Sequence, residues 1–117
     1  MEGTRILVVE DEYLLAEDLR RSLEQRGAVV VGPAPSVPAA EKLLAADMAV
    51  DFAVLDINLA GTSAYPIADL LVRSGIPFAF VSGFEKSIVP ERFAEIAVFE
   101  KPLDFRLLCD AIKAAVT

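Results

Sequence analysis

Five short, nearly continuous apolar runs constrain the fold of this chain more than any other feature. They occupy residues 6–9, 28–31, 52–55, 78–81 and 97–99 and are rich in β-branched and aromatic residues. Apolar and polar residues do not alternate within them, as they would in a strand with one face in water. Strands that are buried on both faces have this pattern and belong to mostly parallel sheets. The runs therefore predict a parallel sheet with helices on its faces.

Helical patterns separate the apolar runs. Leu15, Leu19 and Leu23 recur every four residues, which predicts one buried helical face, and Gly27 is expected to end that helix. Ser36 is a candidate N-cap for a second helix.

The second half of the chain continues the alternation. A third helix is expected over residues 66–73, and Asp104 is expected to cap the last helix. The buried stripe of that helix is predicted to be Leu108, Ala111, Ile112 and Ala115. Residues 85–95 include Pro90, so a short or mobile helix is expected there.

This order of elements predicts an α/β fold in a single domain over residues 1–117. Five βα units with right-handed crossovers favour a doubly wound, flavodoxin-like parallel sheet of strand order 2-1-3-4-5. In that order the ligand crevice lies at the carboxyl ends of the first and third strands, where the winding direction reverses.

Composition excludes several kinds of function. The net charge is −7, which disfavours partners such as nucleic acid or an anionic membrane, since both attract basic patches. The chain has no histidine, which excludes histidine-based catalytic triads and histidine metal sites. The single cysteine, Cys109, is expected to be a packed helix residue, and it indicates a reducing, cytoplasmic location.

Charged or reactive residues follow four of the five predicted strands. They are Glu10, Asp11 and Glu12 after the first strand, Asp56 after the third, Ser82 and Gly83 after the fourth, and Lys101 after the fifth. The second strand is followed by Gly32 and Pro33 and is the one that lies away from the predicted crevice. The pattern therefore predicts a polar site at the carboxyl edge of the sheet.

Three of these residues, Glu10, Asp11 and Asp56, would place carboxylates side by side, which is costly unless a cation neutralises them. Oxygen ligands without histidine or cysteine suit Mg²⁺. Mg²⁺ together with a lysine stabilises phosphoryl oxygens, and a carboxylate there could act as the nucleophile. Ser82 would supply a hydroxyl donor, and Gly83 would allow a backbone N–H to approach an anion.

The chain resembles the receiver domains of bacterial two-component response regulators along its whole length. The motifs that carry the resemblance are ILVVEDE at residues 6–12, VLDINL at 54–59, FVSG at 80–83 and Lys101-Pro102. The segment PFAFVSGF at residues 77–84 is also similar to a subfamily of stand-alone receivers whose fourth strand ends in Phe-Ala-Thr-Gly and an aromatic residue.

The resemblance implies a role for each matching residue. Asp56 is expected to accept a phosphoryl group, Asp11 to bind Mg²⁺ directly, and Glu10 to assist through water. Asn58 is expected to give its backbone carbonyl to the metal and to contact the phosphoryl group. Ser82 is then the switch hydroxyl, Lys101 pairs with the phosphoryl group, and the Lys101–Pro102 bond is cis.

Three positions depart from the family pattern. Ala60 and Ala64 stand where most receivers have Pro and Gly, so the loop after Asp56 is expected to follow a different path. Val98 stands where many receivers have the aromatic residue that moves inward on activation. Phe99 lies one residue further on and is expected to face the other side of the sheet.

The function expected from these residues is a phosphoryl-accepting switch, not an enzyme with a separate substrate. Its phosphodonor would be a histidine kinase or a histidine phosphotransfer protein, and it would control a protein target or act as a relay or phosphate sink. Two alternatives are an Mg²⁺-dependent phosphohydrolase with an aspartate nucleophile and a pseudo-receiver that only docks a partner. The chain would be either a stand-alone receiver or a piece of a longer regulator.

The sequence also predicts slow loss of the phosphoryl group. The side chain two residues after Ser82 lines the water path in receivers, and here it is Phe84, whose ring excludes water without orienting it. Asn58 acts in the opposite direction, because its amide could position a water molecule. We expect Phe84→Glu to speed the decay of phospho-Asp56, measured on the labelled protein. An unchanged or slower decay would contradict this expectation.

Overall fold

The computed structural model describes residues 1–46, 49–83 and 89–116. Its main sheet is parallel, has five strands and follows the order β2-β1-β3-β6-β7. The strands in chain order are β1 Arg5–Val9, β2 Val29–Ala34, β3 Phe52–Asp56, β4 Asn58–Leu59, β5 Thr62–Ser63, β6 Phe78–Ser82 and β7 Val98–Glu100. Because β4 and β5 form a separate hairpin, the main sheet has the predicted order 2-1-3-4-5.

Four α-helices accompany the sheet in the described residues: α1 Tyr13–Gln25, α2 Val37–Ala45, α3 Tyr65–Ser74 and α4 Phe105–Val116. A short 3-10 helix, Glu91–Phe93, lies in the segment where a short or mobile helix was predicted. Phe93 is buried there, and Arg92 pairs with Asp69 of α3 at 3.0 Å, so this part of the segment is attached to the domain. Residues 84–88, which include Phe84, lie outside the described residues.

The predicted helix signals are found where helices begin and end. Ser36 Oγ accepts a hydrogen bond from the Ala39 N–H at 3.2 Å and caps α2. Asp104 Oδ1 accepts the N–H groups of Arg106 and Leu107 at the start of α4. Gly27, two residues past α1, has φ 91°, a left-handed conformation that favours glycine.

The core lies on both faces of the sheet. One cluster joins the sheet to α2 and α3, and the other joins it to α1 and α4. The predicted stripe of α4 is partly wrong, because Ala115 is exposed and Cys109 is buried instead. The larger side chains of the helix, including Phe105 and Val116, pack toward the sheet. Ala115 therefore lies away from the buried face.

Strand β2 is longer than its apolar run predicted. It continues through Gly32 and Pro33 to Ala34, with a register shift opposite Val8 of β1. Gly32 has φ 94°, and a Cβ there would lie 2.7 Å from the Ala34 nitrogen, so the irregularity requires glycine. The Ala34 carbonyl then accepts the Glu10 N–H at 3.0 Å, which supports the end of β1.

The loop after Asp56 is a tight hairpin. Asn58 pairs with Ser63 and Leu59 pairs with Thr62, so the connection has only Ala60 and Gly61. Both have positive φ, 52° and 89°, as a type I′ turn requires. Proline is fixed near −65°, so the family's residue at position 60 does not fit this loop. Ala64 is buried, and its N–H donates to the Ile57 carbonyl at 2.9 Å, which closes the hairpin onto α3.

The hairpin predicts opposite effects for two substitutions of Ala60. Ala60→Asn should stabilise the domain by roughly 0.5–1 kcal/mol, because Asn-Gly suits a type I′ turn and Asn tolerates positive φ. Ala60→Pro should destabilise it by about 1–3 kcal/mol, because proline forces φ out of this region. Urea unfolding of both variants measures the difference. Equal stability of Ala60→Pro and wild type would show that the loop takes another path.

Candidate functional site

The carboxyl ends of four parallel strands bring the predicted site residues to one edge of the sheet. Glu10 directly follows β1, Asp56 is the last residue of β3, Ser82 is the last of β6, and Lys101 directly follows β7. Adjacent strands are paired up to this edge, with Asp56 opposite Val81 and Ser82 opposite Glu100. The backbone register therefore brings the four residues to the same edge of the sheet.

Three carboxylates meet in the crevice. Oxygen atoms of Glu10, Asp11 and Asp56 all lie within 4.8 Å of one another. Glu10 and Asp56 are buried and Asp11 is half-buried, so water screens their mutual repulsion poorly. The predicted acidic cluster is present in the structure.

The ammonium group of Lys101 is the cation nearest to this cluster among the described residues. Its Nζ lies 2.8 Å from Asp56 Oδ2, 2.7 Å from Glu12 Oε1 and 3.6 Å from Glu10 Oε1. Partial burial works against the charge, but the bonds to Asp56 and Glu12 and the charge of Glu10 outweigh it and raise the pKa of Lys101. The lysine therefore stays charged and pairs with the predicted acceptor, Asp56.

Glu10 has a buried carboxylate oxygen without a hydrogen-bond donor among the described residues. Its Oε2 accepts the Glu12 N–H at 2.9 Å, while its buried Oε1 has no hydrogen-bond partner among the described residues. Burial, reinforced by neighbouring Asp56, raises the pKa of Glu10 to about 8. A buried carboxylate oxygen without a donor has the chemistry of a site for a cation.

The donor set fits Mg²⁺. The three clustered carboxylates offer only oxygen atoms, and one of them, Glu10 Oε1, has no hydrogen-bond donor among the described residues. Asn58 donates its backbone N–H to Asp56 Oδ1 at 3.0 Å and accepts the Gly61 N–H on its side-chain oxygen at 2.8 Å. These bonds hold Asn58 beside the acceptor, and its carbonyl as a metal ligand remains a prediction.

Ser82 and Gly83 close the site on the β6 side. Ser82 is buried at the end of the strand, and its carbonyl accepts the Lys101 N–H at 2.8 Å. Gly83 is exposed and follows it directly. The Lys101–Pro102 bond is cis, as predicted, and Gly32–Pro33 is a second cis bond that the sequence reasoning did not name.

Glu12 was placed by the sequence analysis in the acidic run after the first strand but was assigned no role in the site. Its side chain contacts Lys101, and its backbone N–H contacts Glu10. The charge of Glu12 was visible in the sequence, but the direction of its side chain was not.

The residues at and near the position of the usual aromatic switch are partly as predicted. Val98 is 42% exposed, while Phe99 packs on the opposite face with the α1 and α4 cluster, as predicted. Tyr65, which was not singled out in the sequence analysis, stacks on Phe93 at 5.6 Å and contacts Phe80 edge-on at 5.9 Å. The rings of Tyr65, Phe80 and Phe93 thus form an aromatic cluster, to which Val98 adds no ring.

The fold and the site define a class of protein. A flavodoxin-like five-stranded sheet carries an acidic cluster, a buried strand-end aspartate and a lysine at its switch point. The chain belongs to the response regulator receiver domain family, whose model matches residues 6–113. In the described part of the chain, no helix has the length and apolar character needed to cross a membrane.

Individual relatives are consistent with this assignment. Phyllosphere-induced regulator PhyR of Methylorubrum extorquens is 35% identical over 93 residues, which are 78% of this chain and 33% of the relative. The chain thus spans about a third of the length of that protein. The solution structure of SdrG from Sphingomonas melonis Fr1 is 34% identical with a TM-score of 0.84, over 98% of each chain. The BeF₃-activated conformation of SdrG, from Pseudomonas melonis Fr1, is 34% identical with a TM-score of 0.79, over 99% of this chain and 98% of that one.

The buried Glu10 oxygen that lacks a hydrogen-bond donor predicts that this residue reduces the stability of the metal-free domain. The folded-state pKa of Glu10, about 8, lies above its ordinary value of 4.5, so folding takes up a proton between these pH values and stability falls as pH rises through them. In EDTA, Glu10→Gln should raise the free energy of unfolding by about 1–3 kcal/mol near pH 8 and by less near pH 6.

Urea unfolding at both pH values measures this effect. Glu41→Gln, an exposed substitution on α2, is the control for net charge and should change stability little. A Glu10→Gln variant no more stable than wild type near pH 8 would contradict the prediction.

Proposed function

We propose that this receiver domain accepts a phosphoryl group on Asp56, with Mg²⁺ bound, from a phosphohistidine on a histidine kinase or a histidine phosphotransfer protein. The observation that carries the proposal is the ion pair between Asp56 and Lys101 at 2.8 Å, next to the clustered carboxylates of Glu10 and Asp11. A buried, oriented carboxylate beside a fixed cation is suited to phosphoryl transfer.

The hydrogen bonds of Asp56 orient its carboxylate for attack. Oδ1 accepts the Asn58 N–H and Oδ2 accepts an N–H from Lys101. One carboxylate oxygen would form the new O–P bond as the N–P bond of the phosphohistidine breaks, and the bonding electron pair would stay on the imidazole nitrogen. Asp56 would become an acyl phosphate, and Lys101 would keep a donor for a phosphoryl oxygen.

The metal would be held by Glu10, Asp11 and Asp56, with the Asn58 carbonyl as a further proposed ligand. When bound, Mg²⁺ would neutralise charge on the phosphoryl oxygens. The side chains themselves would bind the group: Lys101 and the Ser82 hydroxyl would contact phosphoryl oxygens, and the Gly83 N–H would be a further donor.

Phosphorylation would act as a switch between two populations of the domain. The new contacts to Ser82 and Lys101 would favour one of them. We place the protein in the cytoplasm, where it would control a downstream protein, relay the phosphoryl group or serve as a phosphate sink. The likeness to SdrG, one structure of which is a BeF₃-activated conformation, supports the proposal.

Replacing Asp56 with Asn should abolish phosphorylation while the fold is retained. Asparagine preserves the shape but removes the anionic nucleophile. Intact mass after treatment with acetyl phosphate and Mg²⁺ should show a gain of about 80 Da in wild type and no gain in Asp56→Asn. Asp18→Asn, an exposed substitution on α1, is the charge control and should gain the same mass as wild type.

The same assay separates the alternatives. A phosphohydrolase would release inorganic phosphate rapidly without accumulating the adduct. A pseudo-receiver would show neither adduct nor phosphate release. Labelling of Asp56→Asn at the wild-type rate would mean that another residue is the acceptor.

A further inference from the structure

The side chain of Glu12, the residue before α1, pairs with Lys101 and does not cap the helix. Glu12 is the N-cap of that helix, and its carbonyl accepts the Ala16 N–H at 2.9 Å. Glutamate is not among the favoured N-cap residues, and the Glu12 side chain accepts no helix N–H. Its carboxylate reaches Lys101, with Oε1 2.7 Å from Nζ. The lysine therefore has a second anionic partner beside Asp56.

The two partners of Lys101 differ in their environment. Asp56 is 5% exposed in its side chain, whereas Glu12 is 61% exposed. The ammonium group lies between a buried carboxylate and one at the mouth of the crevice, at nearly equal distances of 2.8 and 2.7 Å. Because an ammonium group has only three N–H donors, the bond to Glu12 uses one that a phosphoryl oxygen could otherwise accept.

We propose that Glu12 is a positioning residue that restrains Lys101 at the mouth of the crevice and opposes phosphoryl binding at Asp56. The proposal rests on the function proposed above. A phosphoryl group brings further negative charge to Asp56, and it must compete with Glu12 for the ammonium group. Glu12 also adds a like charge near the incoming dianion. Both effects disfavour the phosphorylated form, so Glu12 sets how strongly the site holds the phosphoryl group.

The test uses beryllofluoride, a non-transferable mimic of the phosphoryl group, at saturating Mg²⁺. Glu12→Gln keeps the shape of the side chain and removes its charge. It should bind beryllofluoride about fivefold more tightly than wild type, the scale expected for one partly exposed charge pair. Asp18→Asn makes the same charge change at an exposed residue of α1 and should leave the affinity unchanged.

A second measurement tests whether the effect acts through Lys101. In the metal-free protein, the NMR signals of the Lys101 ε-methylene should shift in Glu12→Gln and remain in place in Asp18→Asn. A general effect of net charge would move neither signal and would change both affinities alike.

The outcomes distinguish this inference from the proposed function. Failure of wild type to bind beryllofluoride with Mg²⁺ would count against the proposed function itself. If wild type binds, an unchanged or weaker affinity in Glu12→Gln would overturn the role of Glu12. The same gain in Asp18→Asn, or an unshifted Lys101 signal in Glu12→Gln, would also overturn it.

Discussion

Repulsion among carboxylates at the carboxyl edge of the sheet is the constraint on which the site depends. Glu10, Asp11 and Asp56 share a crevice in which two of the three are buried. Among the described residues, the ammonium group of Lys101 offsets part of this charge, and one oxygen of Glu10 remains without a hydrogen-bond donor. When Glu10 is ionised, the metal-free domain keeps an unfavourable interaction in its core, and a bound cation would relieve it.

The rest of the fold holds these charges in place through backbone contacts. The irregular end of β2 supports Glu10, and the tight hairpin after β3 directs the Asn58 N–H at Asp56. Both backbone features require residues with positive φ: Gly32 at the end of β2, and Ala60 and Gly61 in the hairpin. The geometry of the site thus depends on turns that contribute no catalytic side chain.

Much of the architecture was predictable because it depends on local patterns. The apolar runs located the five strands. Ser36 and Asp104 marked the starts of two helices, because an N-cap bonds to backbone only a few residues away. The extension of β2 was not predictable, because Gly32 and Pro33 are residues that usually end strands. The alanine at position 60 gave no signal of positive φ, because alanine rarely adopts it.

In the candidate site, the positions of the residues were predictable, but some of their side-chain contacts were not. Topology places strand ends together, so the positions of Glu10, Asp11, Asp56, Ser82 and Lys101 followed from strand order. The partners of Lys101 did not follow, because a long lysine side chain can reach several acids and only its rotamer decides which. The contact of Glu12 with Lys101 and the stacking of Tyr65 on Phe93 both belong to this second group.

The hydrogen bond from the Lys101 N–H to the Ser82 carbonyl limits how these two site residues can move relative to each other. It extends the ladder between β6 and β7, in which Ser82 already lies opposite Glu100, by one further bond. The backbone segments that carry the hydroxyl and the ammonium group are therefore constrained to translate together. Relative motion between the two groups is confined to side-chain torsions, and because serine has a single heavy-atom torsion, Lys101 holds most of that freedom.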